Sequence, residues 1–297
     1  MATVFAAAAN QPLLPVLEQR SIAGLHVRLC GAGAPLLLLH GTGSTGASWE
    51  RLMPLLASHF RLIAPDLPGH GASADPGRGR YSPAAMANAV AHLLVDSGLE
   101  LGPEPLLVVG HSAGAAVLVE GLVRGVITAR GFVALNPALL PFPGVQHALF
   151  TGSARLLSRL PFVAELIASR GRDPAAVTAL LDGIGTELGA AELARYRGLF
   201  SEPKHIRTVL TMMAEWDLPA IAAQLPNLQE PTLLLGGMKD RAILPAAVRE
   251  LAARMPSASA TLIPGGGHLL QEELPDCVAA RIMDWVQGLP RVSSALL

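Results

Sequence analysis

Ser112 lies in the run Gly110-His111-Ser112-Ala113-Gly114, after the apolar stretch Leu106-Leu107-Val108-Val109 and before a segment of small residues. A Gly-x-Ser-x-Gly sequence between a strand and a helix is the pattern of a nucleophile elbow. The chemistry needs both glycines. A serine at a sharp strand-to-helix turn has a strained backbone, and side chains beside it would block the turn. The turn lifts the hydroxyl above the sheet, at a helix N-terminus where the amide of Ala113 can meet a developing oxyanion. A glycine-rich turn before a buried helix gives the same five residues without any chemistry, so the rest of the chain has to decide.

Three more places carry candidate chemistry. His40-Gly41-Thr42-Gly43-Ser44-Thr45 follows an apolar strand. It reads either as a phosphate cradle or as the second half of an oxyanion hole. No full P-loop pattern is present, and Ser112 downstream favours the oxyanion hole, with the Thr42 amide as donor. Asp240 follows the run Thr232-Leu233-Leu234-Leu235, and His268 follows three glycines after the strand expected at 258–263. That loop can carry an imidazole back toward Ser112. Asp66 and His70, in Asp66-Leu67-Pro68-Gly69-His70-Gly71, read better as a tight turn in which Asp66 accepts backbone amides.

The elements that must position these groups alternate. A hairpin is expected over 15–30. Strands are expected at 35–39, 61–65, 105–109, 131–135, 232–235 and 258–263. Helices are expected at 47–58, 83–97, 113–124, 245–255 and 276–287. The continuous apolar strands suit a parallel sheet covered on both faces. Ser82 followed by Pro83 is a helix-start signal. From 138 to 227 the alternation stops and the sequence is helical and apolar, as expected of a lid that excludes water. The expected architecture is α/β, a mostly parallel doubly wound sheet with a helical lid inserted after the sixth strand. Residues 1–137 and 228–297 form the core and 138–227 the lid.

Composition excludes several classes. The chain has 297 residues, net charge −1, 51% hydrophobic and 15% charged residues. There is no basic field for nucleic acid. No segment reads as a transmembrane span or a signal peptide. Two distant cysteines, Cys30 and Cys277, argue against a disulfide framework and fit a reducing cytoplasm. No metal-ligand spacing and no organic cofactor motif is expected. Asn136, at a strand end, is a pocket candidate, and Trp49 reads as core or pocket wall. Arg155, Arg159, Arg170 and Arg172 lie among apolar residues, either as solvated helix faces or as a face for a membrane surface or an apolar carboxylate.

The order Ser112, Asp240, His268, each just past a strand, resembles the α/β-hydrolase fold superfamily. The resemblance implies Ser112 as nucleophile, His268 as general base and then acid, Asp240 as its orienting partner, and the amides of Thr42 and Ala113 as the oxyanion hole. Several stretches together are similar to the magnesium chelatase accessory family of the BchO type: His40 to Thr45, Pro65 to Gly71, Gly110 to Ala116, Leu135 to Phe142 and Met212 to Leu218. That likeness implies a role in bacteriochlorophyll synthesis, around magnesium-protoporphyrin, with chelatase subunits as partners. It gives no reaction. An apolar lid would suit a flat tetrapyrrole, with Arg155 or Arg159 pairing with a propionate. The expected substrate contacts are His111, Asn136, Trp49, Phe142, Arg155, Arg159 and Trp216. Three functions stay open: a serine hydrolase of an apolar ester, a non-catalytic porphyrin-binding or chelatase-accessory protein, and a general carboxylesterase or lipase. The expected location is the cytoplasm, with the lid able to touch the photosynthetic membrane.

Overall fold

β1 (Glu18–Ile22) and β2 (Leu25–Cys30) form an antiparallel hairpin. Ala23 and Gly24 between them have φ of 50° and 79°, the two positive values that a tight hairpin turn requires. The computed structural model describes residues 17–96, 99, 101, 104–141, 153, 156–160 and 162–290. Its further strands are β3 (Ala34–Leu39), β4 (Phe60–Pro65), β5 (Leu107–His111), β6 (Gly131–Leu135), β7 (Thr232–Gly237) and β8 (Ala258–Ile263). The sheet order is β1-β2-β4-β3-β5-β6-β7-β8. β2 joins β4 antiparallel, and every later pairing is parallel. The central strands are buried along nearly their whole length, which is why they read as unbroken apolar runs.

Side chains alternate between the two sheet faces. Leu37 and Leu39 enter one apolar cluster, and Leu36 and Leu38 enter the other. The stretch expected as one helix over 47–58 is instead a 3₁₀ turn, Gly46–Trp49, followed by a short α1 (Met53–Leu56). Pro54 explains the break: its ring opposes the carbonyl four residues back, and it has no N–H for a continuous ladder. α2 (Pro83–Val95) begins as expected, with the Ser82 hydroxyl accepting the Ala85 amide. α3 (Ala113–Val123) follows β5 directly.

Between β6 and β7 lies the expected helical lid. Among the described residues it contains α4 (Val163–Gly171), α5 (Pro174–Gly183), α6 (Ala190–Phe200), α7 (Pro203–Ala214) and α8 (Leu218–Gln224). It has small apolar clusters of its own. One joins Val163, Ala168, Ile206 and Leu210; another joins Val177, Leu181 and Tyr196 with Leu269, the residue after His268. Met212, Trp216, Leu218 and Ile221 belong to the main core, so the last lid helices are packed into the body of the protein. α9 (Pro245–Arg254), the short α10 (Leu270–Glu273) and α11 (Pro275–Gln287) complete the chain's described helices. Among the described residues no helix is long and apolar enough to cross a membrane.

Candidate active site

β5 runs straight into Ser112, which has φ 49° and ψ −113°, a conformation that serine rarely adopts. The surroundings hold it there. The Ser112 amide donates to the Leu135 carbonyl at 2.9 Å, and the Ser112 carbonyl accepts from Ala115 and Ala138 at 3.2 and 3.1 Å. The flanking glycines allow α3 to approach the sheet. A Cβ on Gly114 would lie 2.3 Å from the Leu39 carbonyl oxygen, and one on Gly110 would lie 2.6 Å from the Ala115 backbone. Both contacts are with backbone, so no side-chain rotation relieves them. Ala113 is the first residue of α3, and its amide has no partner within that helix.

Asp240 and His268 are brought together from the ends of β7 and β8. His268 Nδ1 donates to Asp240 Oδ2 at 2.8 Å, and both residues are buried. The other carboxylate oxygen, Oδ1, accepts the amides of Ala242 and Ile243 at 2.7 and 2.9 Å. The aspartate is therefore held by its own loop and offers one oxygen to the ring. With Nδ1 carrying the proton, Nε2 is left with the lone pair that a general base requires.

The three glycines before His268 gave no hint of how firmly its loop is fixed. Asn136, with φ 42°, donates through Nδ2 to the carbonyls of Gly267 and His268 at 2.9 and 2.7 Å, and its Oδ1 accepts the Gly237 amide at 2.8 Å. His111 Nε2 also donates to the His268 carbonyl, at 2.8 Å, and the two rings lie edge to face with centroids 4.9 Å apart. Asn136 and His111, expected as substrate contacts, are instead buried residues that hold the histidine loop against β6 and β7. Burial drives the His111 pKa well below the ordinary value and keeps the ring neutral. Thr186, from the lid, accepts the amides of His268 and Leu269 on its hydroxyl, and Glu273 accepts those of Gly267 and Leu269.

The loop after β3 is a tight turn beside the elbow. The Ser44 amide donates to the Gly41 carbonyl at 3.2 Å, and Gly43 takes φ 75° at the position where a type II turn needs glycine. A Cβ on Gly41 would lie 3.0 Å from the Ser112 Cβ and 2.8 Å from His111 Nδ1, so this loop borders the elbow. Thr42 is partly exposed, with its hydroxyl directed to the Met212 sulfur at 3.8 Å.

Other expected contacts are placed elsewhere. Trp49 is fully buried in the apolar cluster with Leu38 and Met53, so it is a core residue and not a cleft wall. Trp216 is 7% exposed and packs in the main core. Arg159 is exposed on the lid. Phe142 and Arg155 lie outside the described residues. Asp66 takes the turn role expected of it, accepting the amides of Gly46 and Ala72 and pairing with Arg28 at 2.9 Å.

The profile of the alpha/beta hydrolase family matches residues 36–281. The chain belongs to this family. This alpha/beta hydrolase is 38% identical to the magnesium-chelatase 30 kDa subunit of Rhodobacter capsulatus, over 86% of its own length and 88% of the relative's. It is also 29% identical to a pimeloyl-[acyl-carrier protein] methyl ester esterase of Xanthomonas oryzae, over 90% of this chain and the whole of that one. Among solved structures, the epoxide hydrolase CorEH shares the fold with a TM-score of 0.73 at 23% identity, covering 93% of this chain and 100% of that one. The 2-hydroxy-6-oxo-6-phenylhexa-2,4-dienoate hydrolase of a Rhodococcus strain shares it at 0.73 and 20% identity, covering 92% and 99%.

Thr186 and Glu272 are among the positions of this hydrolase that sequence reasoning missed. Thr186 carries no motif. Glu272, four residues past His268, is fully buried and accepts the hydroxyls of Ser48 at 2.7 Å and Tyr196 at 2.6 Å as well as the Arg195 guanidinium. Burial raises its pKa. A glutamate after a histidine loop looks like surface sequence; the partners that make burial tolerable are far along the chain.

Proposed function

We propose that this chain is a serine hydrolase that cleaves an ester or similar acyl bond of an apolar substrate, and that it serves bacteriochlorophyll synthesis at the magnesium-protoporphyrin step. The observation that carries the chemical half is the His268–Asp240 pair, held beside an elbow whose serine has φ 49°. In the proposed reaction His268 Nε2 takes the Ser112 proton as Oγ attacks the acyl carbon. The carbonyl oxygen becomes an oxyanion facing the amides of Thr42 and Ala113. The carbon–oxygen bond to the leaving group breaks, and His268 hands its proton to the departing alkoxide. Water then attacks the acyl-Ser112, again giving a proton to His268, and the free acid leaves as Ser112 recovers its own. Ester and water become acid and alcohol, with no net proton change on the protein.

The biological half rests on the 38% identity to a chelatase subunit. The same relative supports a second reading, in which the chain is an accessory protein that binds a porphyrin or a chelatase subunit and does no chemistry. Complementation separates them. In a strain lacking the gene, Ser112→Ala should fail to restore pigment if the chain is a hydrolase. Full rescue by Ser112→Ala would favour the accessory reading. Normal pigment in the deletion strain itself would leave a general esterase.

Peripheral contact of the lid with the photosynthetic membrane is part of this proposal. Its support is a set of exposed apolar side chains, Leu156, Phe162 and Leu166 at 63%, 63% and 61%, in a stretch that also exposes Arg159, Arg170 and Arg172. Replacing Phe162 and Leu166 together by Glu should lower co-sedimentation with anionic vesicles by about tenfold or more, since each side chain is worth roughly 1.5–3 kcal/mol when buried. Equal sedimentation of the two proteins would remove the lid from the membrane.

A further inference from the structure

A lid side chain bonds the backbone of the oxyanion loop, a contact that the catalytic sequence pattern does not contain. His205, near the start of α7, is buried at 5% exposure, and its Nε2–H donates to the Gly43 carbonyl at 3.2 Å. Gly43 offers only an acceptor there, so the tautomer is fixed. We propose that His205 is a positioning residue for the oxyanion hole, so that the lid sets the geometry of the amide that would receive the negative charge. This rests on the reading of Thr42 as an oxyanion donor.

The coupling runs through the peptide planes of the turn. In a planar trans peptide the C=O and the following N–H point in opposite directions. Fixing the Gly41 carbonyl therefore fixes the Thr42 amide. Two donors hold that carbonyl: His40 Nδ1–H at 2.8 Å and the Ser44 amide at 3.2 Å. The His40 ring is itself locked, since its Nε2 accepts the Leu67 amide at 2.9 Å. The Ser44 amide belongs to the peptide whose carbonyl is Gly43, the group that His205 holds. His205 thus orients the Gly43–Ser44 peptide, that peptide's N–H orients the Gly41 carbonyl, and the Gly41–Thr42 peptide presents its N–H the other way.

Neighbouring contacts make the coupling local to the lid. The Tyr196 hydroxyl of α6 bonds the Ser44 hydroxyl at 3.1 Å. The space a Cβ on Gly43 would occupy is bordered by Phe200 at 3.5 Å and Val209 at 3.8 Å. Lid helices therefore flank the turn closely, while His205 supplies the bond to its backbone.

Three substitutions test this. His205→Leu removes the donor and keeps bulk. His205→Asn keeps polarity but is too short to reach, and it carries the test if the leucine variant does not fold. His205→Gln places an amide nitrogen near the position of Nε2. Two quantities are measured on each folded protein: hydrogen exchange of a peptide covering residues 40–46, and the second-order rate of Ser112 phosphonylation by a fluorophosphonate. Leu and Asn should exchange faster at 40–46 and label about tenfold more slowly, below the loss from deleting an oxyanion donor outright. Gln should lie near wild type in both. Wild-type exchange at 40–46 in the Leu or Asn variant would overturn the proposal, as would an unchanged labelling rate. If the wild-type protein is not labelled at all, the serine-hydrolase reading fails, and exchange with its rescue by Gln still decides whether His205 positions the loop.

Discussion

Asp240→Asn should leave the fold intact and cut fluorophosphonate labelling and ester hydrolysis by about 10³–10⁴-fold near neutral pH. The asymmetry of the carboxylate explains both halves. Oδ1 serves its own loop through Ala242 and Ile243, and an asparagine oxygen can keep those two bonds. Oδ2 faces His268 Nδ1 at 2.8 Å, where the asparagine would place an NH₂. Two donors cannot face each other, so the ring must give up its Nδ1 proton and carry one on Nε2 instead. Nε2 then has no lone pair for the Ser112 proton. Thermal melting and labelling rate, measured on the same samples, check the two halves. A loss below about tenfold would mean that the pair does not set the tautomer for catalysis.

Acid should unfold the protein steeply, through buried histidines other than His268. Burial lowers the His40 pKa to about 3 and moves those of His70 and His111 well below the ordinary value; His205 is lowered as well. The folded protein holds these rings neutral, whereas the unfolded chain protonates them near pH 6.5. The unfolded state thus binds more protons below that value. Stability is fully present above about pH 6.5 and falls as the pH drops below it, down to about 3 for His40, by about 1.4 kcal/mol per pH unit for each histidine that stays neutral in the folded protein. Glu272 and Glu273, raised by burial, act with the opposite sign at pH values above their ordinary range. Urea unfolding at pH 7.5, 6.5 and 5.5 measures the slope. The expected loss between the last two is about 2 kcal/mol or more, and a flat profile would mean that the rings are protonated in the folded state.

Much of the framework was legible in the chain because it depends on local pattern. The apolar runs at 35–39 and 232–235 are strands since parallel strands covered on both faces need no alternation. Ser82-Pro83 starts a helix because its chemistry is contained in four residues. The Asp240–His268 pair was expected from chain order, each residue lying just past a strand. Trp49 shows the limit of such reasoning: a large aromatic near a glycine-rich loop suits a pocket wall as well as a core, and only the packing around it decides. Asn136 shows another. A strand-end asparagine was expected to meet substrate, yet its amide is spent on three backbone groups of β7 and the histidine loop. Thr186, His205 and Glu272 were not legible at all, since their partners lie 82, 162 and 224 positions away in the chain. No periodicity or motif encodes a contact at that distance.

If Ser112 is the nucleophile, it forms a covalent adduct whatever the substrate. Folded protein is treated with a fluorophosphonate and digested with trypsin, and the peptide spanning residues 81–124 is sequenced by mass spectrometry. One phosphonyl group is expected on Ser112, absent in Ser112→Ala and formed far more slowly in Asp240→Asn. A folded wild-type protein that stays unlabelled, or that carries the group on another residue, would contradict it.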